Sequence, residues 1–229
     1  YKMQNLYEGT VLEEGFPRND KLFDSNRAEV IQELKDCGVD VKEDKKIILY
    51  APTWRGEQYS RPDTDLQDVY KLINVMENSI DTNEYQIFVK LHQIVYHYMK
   101  ENAMEPGDAQ TKFIPATMDT NEILSVTDVL ISDYSSIVFD YSIMERPIFC
   151  YGYDYDSYAK ERGIYTDLNE LFSHGVLRTE DEVLRAIKQI DYPAECRFTK
   201  EHIKDEYIAS YGNAAEKAVK VIFEGKYDG

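Results

Sequence analysis

A chain of 229 residues can bury a core of its own, as one large or two small domains. It carries 43 acidic against 26 basic side chains, a formal net charge of −17. That balance argues against nucleic acid and against direct docking on an anionic membrane, though not against an anionic small ligand held by local donors. The cysteines Cys37, Cys150 and Cys196 are odd in number and lack metal-ligand spacing, so they read as reduced thiols. No apolar run approaches the ~18 residues of a membrane span and no signal-peptide pattern opens the chain, which therefore reads as soluble and cytoplasmic. It starts at Tyr1 without a capping signal and reads as a piece of a longer protein.

In chain order, Val11 to Gly15 reads as a weak strand, followed by a turn over Phe16-Pro17-Arg18-Asn19-Asp20. Ala28, Ile31 and Leu34 keep a helical period between Ser25 and Cys37, and Gly38 suits the left-handed position after a helix. Lys45 to Tyr50 reads as a buried strand that runs into Ala51-Pro52-Thr53-Trp54-Arg55, and Glu57 to Pro62 as a polar loop. A helix is predicted over Asp65 to Glu77, with Leu66, Val69, Tyr70, Leu72, Ile73 and Met76 facing inward. Gln86 to Leu91 is the next strand, with His92 at its carboxyl end and His97 one turn into a following helix. Phe113-Ile114 is a short strand and Asp119 to Val126 a short helix. Pro147 to Tyr151 is a further buried strand, and the rest turns helical over Tyr153 to Arg162, Glu180 to Gln189 and about Asn213 to Glu224.

The organising stretch is Val126 to Tyr141. The apolar run Val129 to Ile131 reads as a buried parallel strand, a polar turn follows, and apolar positions then recur with helical spacing at Ile137, Val138, Tyr141 and Met144. Ser135 or Ser136 suits the N-cap, and the helix must stop before Pro147. Backbone N–H groups, two hydroxyls and a helix N-terminus thus converge where an open α/β sheet binds phosphate.

Strands alternating with helices predict an α/β fold with a doubly wound parallel sheet. Arg18, Thr53, Arg55, His92, Ser135 and Ser136 then fall on one edge of that sheet, which is the physical case for a site. Each also has a structural reading: Arg18 and Arg55 as surface ion-pair partners, Trp54 as a packing residue, His92 as a hydrogen-bonded strand end. His97, His174 and His202 read as structural or exposed. A Gly-rich phosphate loop, a His-Glu-x-x-His motif and a Gly-x-Ser-x-Gly elbow are all missing from the sequence.

Five collinear motifs carry a resemblance. They are Gly15-Phe16-Pro17-Arg18-Asn19-Asp20, Ile48-Leu49-Tyr50-Ala51-Pro52-Thr53-Trp54-Arg55 and Val89-Lys90-Leu91-His92, then Leu130 to Asp140 with Arg146-Pro147, and Tyr153-Asp154-Tyr155-Asp156 through Arg162-Gly163. Together they resemble the CDP-glycerol glycerophosphotransferases, the teichoic acid polymerases and primases. Gln93 departs from the Pro or Tyr that often follows the strand-end histidine in that family.

The resemblance implies a GT-B-like architecture of two Rossmann-like halves, with residues 1–229 as a single donor-binding domain on which helices from about 180 to 225 pack back. The acceptor half, whose His-Gly-Thr motif is thought to carry the general base, has no counterpart in this sequence. The implied reaction moves glycerol phosphate or ribitol phosphate from CDP-glycerol or CDP-ribitol to a hydroxyl of a polymer or lipid-linked acceptor, releasing CMP. His92 would be catalytic, Arg18, Thr53, Arg55, Ser135 and Ser136 would bind the diphosphate, and Asp140 the ribose. Phe113, Ile114 and Pro115 would meet the base. No prosthetic group is implied, and nothing in the sequence points to Mg2+. The full-length protein would lie peripherally at the inner face of the cell membrane, with no nucleic-acid partner. Two other classes stay open: a different GT-B enzyme, such as a nucleotide-sugar glycosyltransferase or 2-epimerase, and a non-catalytic CDP-binding module.

Overall fold

A computed structural model describes residues 11–55, 63–104, 110–164, 166–209 and 211–225, with side chains omitted at 63–65 and 162. Six strands form one sheet: β1 Lys46–Tyr50, β2 Tyr85–Val89, β3 Lys112–Phe113, β4 Val129–Ser132, β5 Ile148–Tyr151 and β6 Val176–Leu177. All five pairings are parallel, and the order across the sheet is β3-β2-β1-β4-β5-β6. This is the order of a Rossmann-like doubly wound sheet, in which the direction of winding reverses between β1 and β4.

The strands are apolar along their whole length because both faces are covered. Ile47, Leu49, Leu130 and Cys150 point into one core, with helices Arg27–Asp36, Thr120–Val126 and Ile137–Ser142. Ile48, Tyr50, Ile131 and Tyr151 point into the other, with helices Asp63–Glu77, Gln93–Glu101 and Glu180–Lys188. The helix stops follow local chemistry. Asn26 and Asp119 accept backbone N–H groups at two N-termini, Thr179 and Glu182 form a reciprocal capping box, and Gly38 takes φ +83° after the first long helix.

Three expectations are corrected, and three short elements were missed. Val11 to Gly15 is not a strand: the segment is irregular and runs alongside the C-terminal helix, where Lys217 pairs with Glu14. The second strand ends at Val89, and His92 caps the next helix instead of ending the strand. The predicted helix from Asn213 to Glu224 is α-helical only over Ala214–Val219 and widens to a π-turn over Lys220–Glu224. The two-residue strand β6 and the helices Leu168–Leu171 and Tyr192–Phe198 were not legible, being too short for a period to register. The polar loop predicted at 57–62 lies outside the described residues. Among the described residues no helix is long and apolar enough to cross a membrane.

Candidate functional site

At the reversal between β1 and β4 the helices that follow the two strands pack on opposite faces of the sheet, and an open α/β sheet leaves its crevice there. The cleft found at this place has a volume of ≈ 590 Å³. Arg18, Thr53, His92, Ser135, Ser136 and Asp140 line it, joined by Trp54, Lys90, Ala116 and Asn121.

The floor is a bracket of buried charge. Asp133, 2% exposed, accepts hydrogen bonds from the Thr53 backbone N–H (2.9 Å) and the Thr53 hydroxyl (2.5 Å), and it pairs with Arg55 Nη1. Arg55 reaches Asp154 through Nε (2.9 Å) and Nη2 (3.1 Å), and donates to the Thr53 carbonyl at 2.6 Å. The Tyr134 hydroxyl donates to Asp154 at 2.7 Å. Gly152 permits this approach, since a Cβ there would lie 2.7 Å from the Tyr134 hydroxyl. Burial alone would lower the Arg55 pKa, but its two carboxylates outweigh that and raise it. At Asp154 burial pushes upward, while hydrogen bonds from Arg55 and Tyr134 with the Arg55 charge hold the carboxyl below its ordinary value. The bracket ties the segment after β1 to those after β4 and β5.

The rim is open. Arg18 stands on the short 3-10 turn Pro17–Asp20, with its guanidinium over the Phe16 ring at 4.3 Å. It grips Asp140 through Nε (3.2 Å) and Nη2 (3.1 Å), and Asn19 Nδ2 donates to the same carboxylate at 2.8 Å. Asn121 holds the turn from behind, donating to the Arg18 carbonyl at 2.7 Å. His92 is exposed; its Nδ1 accepts the Ile94 N–H at 3.4 Å and its ring stacks on Trp54 at 5.6 Å. Ser136 is the N-cap of helix Ile137–Ser142 without a side-chain cap bond, while the Ser135 hydroxyl accepts the Ile137 N–H at 3.3 Å.

Comparison with known proteins decides the family. The model of CDP-Glycerol:Poly(glycerophosphate) glycerophosphotransferase matches residues 1–224. The chain belongs to this family. It is 33% identical over 229 residues to the teichoic acid poly(glycerol phosphate) polymerase of Bacillus subtilis (strain 168), covering 96% of this chain and 29% of that protein. It is 30% identical to a teichoic acid glycerol-phosphate transferase of Staphylococcus aureus (strain NCTC 8325 / PS 47), covering 93% and 54%. The chain thus spans about half or less of the curated relatives it matches. The wall teichoic acid polymerase TagF superposes with a TM-score of 0.68 at 26% identity, over 93% of this chain and 52% of that one. A UDP-GlcNAc 2-epimerase of Methanocaldococcus jannaschii shares the fold alone, with a TM-score of 0.54 at 12% identity, over 97% and 57%.

Of the family member's expected site residues, the cleft gathers Arg18, Thr53, His92, Ser135, Ser136 and Asp140. Arg55 lies outside that cleft, in a small adjoining cavity lined also by Thr53, Trp54 and His92, and Asp133 and Asp154 engage its charge. The base contact is expected of Phe113, Ile114 and Pro115, through backbone groups extending to Ala116. Ile114 is 0% exposed and its N–H bonds Val89, while the Pro115 carbonyl accepts from Lys90; of that neighbourhood Ala116 lines the cleft. A ribose contact at Asp140 would compete with Arg18 and Asn19 for the same oxygens. Sequence reading missed Asp133, Asp154, Asn19, Asn121 and Lys90. The available signal was a charged or amide residue beside a run that otherwise reads as buried. Among the described residues no group of three or more His, Cys, Asp or Glu side chains could hold a metal ion. With Asp140 engaged by Arg18, the cleft residues do not fit a resident Mg2+.

Proposed function

We propose that this chain is the donor-binding domain of an enzyme that moves an alditol phosphate from its CDP derivative to a hydroxyl of a teichoic-acid-like polymer, releasing CMP. The observation that carries this reading is the cleft at the winding reversal, lined by cationic and hydroxyl-bearing residues. Family membership supports it, as do relatives named poly(glycerol phosphate) and poly(ribitol-phosphate) polymerases, and a TagF variant soaked with CDPG. The whole activity belongs to a longer polypeptide of the relatives' kind, placed at the inner face of the membrane where a lipid-linked acceptor would be met.

In such a transfer the acceptor oxygen attacks the β-phosphorus in line. The bond to the bridging oxygen breaks, and its electron pair leaves with CMP. Charge grows on the bridging oxygen and the α-phosphate, so donors already fixed around them lower the barrier. Arg18 supplies a guanidinium held at the rim by Asp140, and Ser135 and Ser136 supply hydroxyls, while the Thr53 hydroxyl is committed to Asp133. With His92 Nδ1 accepting from Ile94, the ring N–H sits on Nε2 and donates a hydrogen bond to the leaving oxygen as its charge grows. The acceptor's proton goes to a base outside this chain. Arg55 acts through Thr53, whose backbone and hydroxyl its partner Asp133 holds.

Calorimetry on this chain with CDP, CDP-glycerol, CDP-ribitol and a UDP-sugar is the test. Preference for the cytidine ligands is expected, together with a several-fold loss in the Ser135→Ala/Ser136→Ala double variant at an unchanged melt. A preference for the UDP-sugar would move the chain to the nucleotide-sugar enzymes, and no nucleotide binding would remove the donor reading.

A further inference from the structure

Lys90 follows β2 directly and lines the cleft, yet only 9% of it is exposed. Its ammonium donates to the carbonyl oxygens of Pro115 at 2.8 Å and Met118 at 2.9 Å. These satisfy two of its three donors with dipoles, not with charge. Among the described residues no carboxylate pairs with it. The one that acts on it from a distance, Asp119, is itself paired with Lys21 at 3.3 Å. Burial accordingly lowers the Lys90 pKa, with Asp119 opposing.

A buried ammonium is costly unless a counter-charge compensates it. The same sheet edge shows the usual solution nearby, where two carboxylates enclose Arg55. If the work of Lys90 were only to fix the Pro115–Met118 turn, a neutral amide donor would do it without burying a charge. A fixed cation that lines a cleft and lacks its own carboxylate is instead arranged for an anion that arrives from outside. The cleft's remaining groups, Arg18 with Ser135 and Ser136, suit the same visitor. We infer that Lys90 is a binding residue for the donor's diphosphate, drawing its counter-charge from the substrate instead of from the protein. The inference rests on the donor-domain reading above for the identity of the anion, though not for its charge. The ammonium and the imidazole are two residues apart and both residues line the cleft, so they would face the same phosphates.

Two variants of the full chain separate this role from a structural one. Lys90→Gln keeps an N–H donor for the turn and removes the charge; Lys90→Met removes both. Each is titrated with CDP, inorganic pyrophosphate and cytidine at two salt concentrations, and melted without ligand. The expected result for Lys90→Gln is a loss of about tenfold to a hundredfold for CDP and pyrophosphate, the size of one charged hydrogen bond. Cytidine binding should stay unchanged and the salt dependence of CDP binding should flatten. The ligand-free melt should hold or rise, because an uncompensated buried charge has gone. Wild-type CDP affinity in both variants would overturn the inference. So would a lowered melt accompanied by equal losses for cytidine and CDP, the signature of a disordered turn. Failure of the donor reading looks different: Lys90-dependent pyrophosphate binding without any gain from the cytidine moiety would keep the anion role and discard the cytidine donor. A wild-type chain that binds neither probe overturns both.

Discussion

Asp133, Arg55 and Asp154 in the floor of the cleft and Arg18, Lys90 and His92 at its wall lie on one sheet edge, but they are built differently. In the floor the side chains are nearly sealed, with Asp133 1% and Arg55 14% exposed, and each charge meets an opposite charge within the bracket. At the wall the Arg18 side chain is 52% exposed, His92 is exposed, and Lys90 is buried without a carboxylate partner among the described residues. The contrast separates scaffold from chemistry. The buried bracket, neutralised internally, holds three loops in place, whereas the Arg18–Asp140 pair is half-open to solvent and engages Arg18 through Nε and Nη2. A cation with spare donors gains most when an anion binds.

Removing one partner from the floor should have the largest effect. Asp133→Ala is expected to cost ~3–5 kcal/mol, because it strands a buried guanidinium. Urea unfolding measures this, and Asp133→Leu combined with Arg55→Met should recover much of the loss. A cost under ~1 kcal/mol would break the claim that the bracket holds the edge. His92→Ala should do the reverse, costing no more than the ~0.5–2 kcal/mol of a helix cap in urea unfolding while turnover of the full-length enzyme falls roughly 10²-fold. Near-normal turnover would return His92 to a capping residue that stacks on Trp54.

The Arg18–Asp140 pair tests where floor gives way to rim. Either alanine variant should weaken CDP binding about tenfold, and the double variant should be no worse, since Asp140 works by holding Arg18. Additive losses would restore the ribose contact to Asp140, and a 2′-deoxy donor would then lose no more in Asp140→Ala than the natural one.

The smallest expected effect is the acid response of Asp154. Its folded pKa lies below the ordinary carboxylate value, so its stabilisation is present in full above that value, near ~3.9. It disappears as pH falls through the folded pKa. Urea midpoints measured from pH 6 downward should therefore fall below about pH 4 in the wild type, and less so in Asp154→Asn. Equal slopes in the two proteins would show that Arg55 and Tyr134 do not favour the charged carboxylate.

The doubly wound fold was written locally. Ile47 to Tyr50, Ile87 to Val89 and Val129 to Ile131 are apolar at every position because helices cover both sheet faces, and that pattern survives in a single window of sequence. So do the positions of Thr53, His92, Ser135 and Ser136 just beyond strand ends, which parallel strands bring to one edge. Val11 to Gly15 reads as a strand in sequence but has no strand to pair with among the described residues, and only packing could reveal that. The same holds for the partners of the charges. Arg55 meets Asp133 and Asp154 across 78 and 99 residues of chain, and Arg18 meets Asp140 across 122. Periodicity records which way a side chain faces, since that depends on its own few neighbours. Whether a charge is cancelled, shared or left waiting for a ligand depends on groups brought near it through space, and for Arg55 and Lys90 only the folded chain decides it.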